Sequence, residues 1–395
     1  MSGNILIVAG EASGDLHGSN LIRSLKEIDQ SLVFYGVGGE KMKSLGFDAI
    51  EDSRELAVIG ISEVVLKLGK LYAAFNKLKN ALDKNRPDVV VLIDFPGFNL
   101  HVAKEAKKRK IPVAYYISPQ VWAWRKGRIK KIARLVDKML VVFPFEVDIY
   151  KKAGLDVEYV GHPLSAAVSC RLSKGDAKAS FGMAEHPIVA LLPGSRRQEV
   201  ERLLPVMLEA ASLIAKEIKD VQFILPLADT IAQDFVEGII ADSGFQFRAP
   251  CAGARHSAFR IVKGRLYEAL RASDAAIVAS GTATLETALI GTPMVIVYKV
   301  SLLTYLVGKL FVDVDFIGLP NIVAGKRVAP ELIQSEVKPQ AIAKHILDFL
   351  TDKTMRDKMT SALAEVKKRL GAGDASRRAA EKIYKVMKEV RGKGQ

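Results

Sequence analysis

The chain has 395 residues, 49% hydrophobic and 26% charged, which is long enough for two domains with sizeable cores. Its two cysteines, Cys170 and Cys251, are too few for a disulfide framework, and its apolar runs break before the ~18–20 residues a membrane span requires. A formal net charge of +14 favours anionic partners, without choosing among nucleic acid, anionic lipid and phosphorylated substrate.

The first half alternates short β-branched runs with helical patterns. NILIVAG (4–10), LVFYGVGG (32–39), DVVVLID (88–94), PVAYYIS (112–118) and KMLVVFP (138–144) read as strands buried on both faces, as in a parallel sheet. Asp15–Ile28, Ser62–Lys84 and Asn99–Arg109 read as the helices between them. Met1 leads straight into the first run, with no basic region of a signal peptide. The loop after that run has glycines at Gly10, Gly14 and Gly18, not the dinucleotide spacing, and the second run closes in GVGG with no acid for a ribose. A nicotinamide enzyme is therefore disfavoured. Glu11, Ser13 and Asp15 instead make a polar loop beyond the strand end, although Ser13 or Asp15 equally suits a helix N-cap.

Within 62–82, Val64, Leu68, Leu71, Tyr72, Phe75 and Leu78 gather on one helix face, with Lys67, Lys70 and Lys77 beside it. The pattern by itself favours a face turned to the core. In a strongly cationic chain it also suits contact with an anionic membrane surface. Asp94 ends a strongly apolar strand beside Phe95, Pro96 and Phe98. A partly desolvated carboxylate there suits a general base, and the same position also suits an N-cap. ISPQVWAWRKGRIKKI (117–132) sets Trp122 and Trp124 before a basic string, Arg125 to Arg134. Those rings could stack on a sugar or lie at a membrane interface, and one of them could equally be core.

The stretch 161–187 lacks a strand-like run and carries the domain junction. This gives an N-terminal domain 1–168, a junction 169–187, a second domain 188–350 and C-terminal helices 351–395. The second half repeats the alternation with IVALLPG (188–194), VQFILPLA (221–228), AFRIV (258–262), DAAIVASG (274–281) and PMVIVYK (293–299). In the first of these, Gly194, Ser195 and Arg196 open a helix whose first turn offers N–H groups and the positive dipole end to phosphate or carboxylate. In ASGTATLE, a second helix starts near Gly281 and Thr282, with Thr282 and Thr284 able to cap and Glu286 suited to paired ribose hydroxyls. The six histidines do not fall at metal-ligand spacing, and no Gly-x-Ser-x-Gly elbow, Walker A loop or nucleic-acid signature occurs.

Taken in order, AGEASGD, ELAVIGISEV, IDFPGFN, SPQVWAWR, FPFE, VGHPL, LLPGSR, SGTATLE and LPNIVAG resemble the lipid-A-disaccharide synthase family, inverting glycosyltransferases of the GT-B type. The resemblance covers essentially the whole chain. It implies an α/β fold of two Rossmann-like domains facing a cleft, with C-terminal helices. The reaction it implies joins UDP-2,3-diacylglucosamine to 2,3-diacylglucosamine 1-phosphate (lipid X), with no cofactor and no metal. It matches Asp94 to the catalytic aspartate, Arg196 and Asn321 to binders of the UDP-sugar, and Gly281, Thr282 and Glu286 to nucleotide contacts. Glu11, Ser13, Gly14, Gln120, Gly194 and Ser195 complete the expected substrate and UDP contacts. Leu68, Leu71, Tyr72 and Phe75 are the expected membrane contacts of a peripheral protein on the cytoplasmic face of the inner membrane. Nucleic acid is not an expected partner, and a homodimer is left open. The segment 247–265 is longer than is usual for the family. A UDP-sugar 2-epimerase would keep the nucleotide loops without a membrane face, whereas a basic nucleic-acid-binding module would lack a UDP site.

Overall fold

Two parallel sheets organise the chain in the computed structural model, which describes residues 3–56, 64–119, 127–183, 186–244, 259–301, 305, 315–371 and 373–392. The first contains β1 (Asn4–Ala9), β2 (Val33–Gly38), β3 (Asp48–Asp52), β4 (Val89–Ile93), β5 (Val113–Tyr116), β6 (Lys138–Val141) and β7 (Val157–Tyr159), in the order β3-β2-β1-β4-β5-β6-β7. The second contains β8 (Ile188–Leu192), β9 (Gln222–Leu227), β10 (Phe259–Lys263), β11 (Ala275–Ala279), β12 (Met294–Tyr298) and β13 (Glu331–Ile333), in the order β10-β9-β8-β11-β12-β13. Every run read as a strand forms one. β4, β8 and β11 are buried along their whole length, as strands covered by helices on both faces must be.

Three strands escape a reading of the sequence. β3, β7 and β13 are sheet edges of five, three and three residues; β3 and β7 are partly exposed, and all three carry acids, Asp52, Glu158 and the buried Glu331. The helices start about a turn before their apolar periodicity does, at Ala12–Ile28 and Pro96–Lys108.

The chain divides into two units, Met1–Ala166 with Ala372–Gln395, and Ala167–Gly371. The segment set apart above as C-terminal helices is thereby split. Helix Lys353–Arg369 buries Met359, Leu363 and Val366 in the second unit. Helix Ala375–Gly392 belongs to the first unit, where Ala379, Ala380, Ile383 and Met387 form a buried stripe. Arg391 pairs with Asp88 at 2.8 Å and the Tyr384 hydroxyl donates to Asp29 at 3.1 Å, fastening that helix.

Each sheet reverses its strand order at one place, β1/β4 in the first and β8/β11 in the second. Side chains just beyond the carboxyl ends of those strands line the crevice where ligands of open α/β sheets bind. Four of the motif loops fall at these two switch points: AGEASGD after β1, IDFPGFN after β4, LLPGSR after β8 and SGTATLE after β11.

Candidate active site

In the first unit, Asp94 follows β4 directly and Glu11 stands two residues beyond β1, its neighbour in the sheet. Asp94 does not cap the next helix: Phe95 takes the N-cap position and Pro96 the first turn, with no side-chain cap bond. Asp94 and Phe95 are both left-handed, with φ of 45° and 46°. The Phe95 ring lies so close to Gly10 that a Cβ there would come within 2.3 Å of it, so Gly10 is required by close approach. Burial first, and then the charge of Glu11, push the Asp94 carboxyl up to about 6, while the Phe95 N–H draws it partway back. That value suits a group that must hold a proton during turnover and release it near neutrality.

Glu11 and Ser13 are exposed and Gly14 is buried against Ala9. Asp15 has a structural task. It is 7% exposed and accepts from the N–H groups of Gly39, Lys41 and Met42 at 2.9–3.1 Å, capping the short helix Glu40–Lys43. Two further motifs meet where buried Glu146 of FPFE accepts from the Ser118 hydroxyl and the Phe143 N–H, joining the loop after β5 to that after β6. Gln120, Trp122 and Trp124 lie outside the described residues.

In the second unit, the loop after β8 differs from the open anion cradle expected. Glu199 turns back so that its Oε2 accepts from the N–H groups of Ser195 (3.1 Å) and Arg196 (3.3 Å). A capping-box interaction thus occupies donors that a bound anion would need free. Gly194, at φ 122°, makes room, since a Cβ there would meet the Glu199 side chain at 2.5 Å. The Arg196 guanidinium, 82% exposed, touches Glu199 Oε1 at 3.1 Å. Burial raises the Tyr298 phenol at the end of β12, with the charge of Glu199 adding to the rise and that of Arg196 opposing it.

The loop after β11 remains open. Helix Thr282–Ile290 starts after Gly281 with no side-chain cap bond; Thr284 donates its hydroxyl back to the Gly281 carbonyl at 2.7 Å instead of capping. Gly281 and Thr282 are exposed. One turn further on, Glu286 is partly buried. Burial raises its carboxyl, and the Tyr267 hydroxyl donates to Oε1 at 3.0 Å.

Asn321 cannot make the contact expected of it. It is wholly buried. Its Nδ2 donates to the Ala329 carbonyl (2.8 Å) and Glu331 Oε1 (2.7 Å), and its Oδ1 accepts from Val328 (2.7 Å) and Ala329 (2.9 Å). With its amide saturated by protein partners, Asn321 positions a loop. Glu331 also accepts from the N–H groups of Ile317 and Gly318, and the Ile317 carbonyl receives the Ser280 hydroxyl beside the open helix start.

The apolar stripe on helix Val64–Lys84 is likewise largely spoken for. Leu78 is buried, and Leu71 and Phe75 pack partly buried on the core of the first unit, the Phe75 ring lying edge-on to Phe98 at 6.3 Å. Tyr72 is 67% exposed, and the Leu68 side chain lies outside what is described. Leu71 and Phe75 are therefore corrected from membrane contacts to core-facing residues, because the helix needs that face to cover the sheet. Lys70 and Lys77 pair with Glu55 and Glu51. No helix among the described residues is long and apolar enough to cross a membrane.

Sequence reasoning missed Asn99, Tyr115, Glu199, Tyr267 and Glu331. Only Glu199 had a legible signal, an acid at the third helical position after a turn. A family model described as lipid-A-disaccharide synthetase matches residues 5–386. Relatives named lipid-A-disaccharide synthase from Syntrophus aciditrophicus and Geobacter metallireducens are each 47% identical, the matches covering 98% of this chain and 98% of theirs. Among solved structures, MurG of Acinetobacter baumannii superposes with a TM-score of 0.60 at 16% identity, over 98% of this chain and all of that one. A UDP-N-acetylglucosamine 2-epimerase homologue from Listeria monocytogenes gives 0.62 at 12% identity, over 98% and 96%. Both share the fold of two Rossmann-like units.

Proposed function

Because the chain belongs to the lipid-A-disaccharide synthase family, glycosyltransferases that make the lipid A disaccharide, we propose that it moves the diacylglucosaminyl group of UDP-2,3-diacylglucosamine onto the 6-hydroxyl of 2,3-diacylglucosamine 1-phosphate. The products are the β-1,6-linked disaccharide 1-phosphate and UDP.

The observation that carries this reading is the half-buried carboxyl of Asp94 at the β1/β4 switch point, which has no cation partner among the described residues and which burial and the Glu11 charge raise to about 6. Asp94 takes the proton of the acceptor 6-hydroxyl as that oxygen attacks C1 of the donor sugar. The bond from C1 to the diphosphate oxygen breaks on the opposite face, its electron pair leaves with UDP, and the configuration inverts. Charge developing on the diphosphate is met by the uncapped start of helix Thr282–Ile290, through its main-chain N–H groups and dipole. The exposed Arg196 adds a cation. Glu286, steadied by Tyr267, keeps Oε2 for the ribose hydroxyls. Glu11 and Ser13, exposed beyond β1, serve the acceptor, and Asn321 serves the nucleotide only through the loop it holds.

Acceptor chemistry favours peripheral attachment to an anionic membrane, since each CH₂ drawn from lipid into water costs ~0.8 kcal/mol. The surface best suited is helix Arg128–Leu135. Its Ile129, Ile132 and Leu135 turn to the core while Lys130, Lys131 and Arg134 are exposed, and no carboxylate partner to these three cations occurs among the described residues. Acceptor-dependent release of UDP tests the transferase reading; release or epimerisation without acceptor would contradict it.

A further inference from the structure

Asp94 and Phe95 present an unusual backbone, two successive non-glycine residues in the left-handed region, with φ of 45° and 46°. Side chains disfavour this region, so such a pair persists only where its surroundings over-determine it. The surroundings are specific. The pairing of β4 with β5 ends at Ile93 and Tyr116, so the Asp94 carbonyl lies beyond the ladder. Two side chains supply what the ladder does not. Asn99, wholly buried, donates from Nδ2 to that carbonyl at 2.7 Å and also lies 3.2 Å from the Ile93 carbonyl. Tyr115, wholly buried on β5, donates its hydroxyl to the same oxygen. On the other side the Phe95 ring is seated against Gly10.

We propose that Asn99 and Tyr115 are positioning residues for the transfer reaction: by clamping the main-chain carbonyl of Asp94 from two sides, they hold the left-handed turn that presents its carboxyl to the acceptor. The proposal rests on Asp94 being the base. Turning the Asp94–Phe95 pair back to relaxed geometry would rotate this carbonyl away from both donors and carry the carboxyl with it. A misplacement on the order of 1 Å is enough to cost ~10²-fold in rate. The clamp also explains why two buried polar side chains on different elements converge on a single carbonyl next to a switch point. Either one alone would satisfy it.

Tyr115→Phe is the direct test, because it keeps the ring and removes only the donor. It should lower kcat by ~10–100-fold, with KM for both substrates and the affinity for UDP within about twofold of wild type. Introduced into Asp94→Asn, the same change should have no further effect on kcat, because the clamp acts through the carboxyl that is already gone. The acid limb of the kcat profile should also move to lower pH in Tyr115→Phe, as the carboxyl leaves its buried seat. Glu11 and the Tyr115 phenol are the titratable groups coupled to Asp94 there, and Glu11 is untouched by the substitution. Asn99→Ala should reproduce the loss of kcat, and its thermal melt separates that loss from unfolding. Wild-type kcat in Tyr115→Phe, or an equal fold-loss in both backgrounds, overturns the clamp while an impaired Asp94→Asn leaves the base in place. Near-wild-type turnover in Asp94→Asn overturns the base and the clamp together.

Discussion

Glu11 and Asp94 stand just beyond the ends of neighbouring strands, and the negative charge of Glu11 adds to burial in raising the Asp94 carboxyl to about 6. Two carboxyls are thereby given different tasks by position: one is exposed at the helix start, the other held where its charged form is disfavoured. Because the base must be unprotonated to act, kcat/KM should fall as pH drops through about 6, approaching tenfold per unit below it. Glu11→Gln removes a like charge and should move that limb to lower pH. A pH–rate profile of the two proteins checks this, and an unmoved limb removes the coupling.

A raised carboxyl is also a stability statement. In the unfolded chain Asp94 ionises near its ordinary value of 3.8; in the folded protein it does so at about 6. Between these values the folded state binds more protons, so stability is lost as pH rises through that window and stays lost above it. Asp94→Asn should therefore be more stable than wild type at pH 7–8, by at most ~3 kcal/mol, with the gain vanishing below about pH 4. Asparagine tolerates the left-handed backbone at this position. Denaturant melts at three pH values decide the matter; a variant less stable at every pH contradicts it.

The two residues matched to UDP-sugar binding should separate experimentally. Arg196→Ala removes an exposed cation and should weaken UDP by roughly 1.5–3 kcal/mol with the melting temperature little changed. Asn321→Ala leaves Glu331 and two main-chain N–H groups short of partners, so its main effect should be a fall in melting temperature from destabilisation of ~2–4 kcal/mol. Calorimetric titration with UDP, paired with thermal melts, distinguishes them. A fully stable Asn321→Ala that has lost UDP would return Asn321 to the ligand.

How much of this was legible in the chain can be argued from the same residues. Apolar runs without alternation announced the central strands, because strands covered on both faces must be continuously hydrophobic. The edges β3 and β7 were silent, since half-exposed strands of three to five residues leave no periodic trace. Asp94 was visible as an acid ending such a run, but its two carbonyl clamps were not, because Asn99 and Tyr115 reach it from a helix and another strand. At Ser195 the sequence showed a helix start suited to an anion, and the fold filled its donors with Glu199. The stripe at 64–78 was ambiguous by nature: one apolar helix face looks the same whether it meets a sheet or a bilayer.

Membrane attachment should follow the cations of helix Arg128–Leu135 more than the apolar residues of helix Val64–Lys84. Replacing Lys130, Lys131 and Arg134 by glutamate should abolish co-sedimentation with anionic vesicles, and high salt should weaken the wild type likewise. The three side chains are exposed, so the fold should survive. Full sedimentation by a folded triple variant would place the attachment elsewhere.

The most direct test of the account is product analysis with both acylated glucosamine substrates supplied, by mass spectrometry and NMR of the linkage, comparing wild type with Asp94→Asn. The account predicts UDP and a β-1,6-linked disaccharide 1-phosphate from wild type. From Asp94→Asn, with UDP affinity retained, it predicts ~10²–10⁴-fold less of both. Disaccharide formed at the wild-type rate by Asp94→Asn, or a UDP-sugar altered without any acceptor, would contradict it.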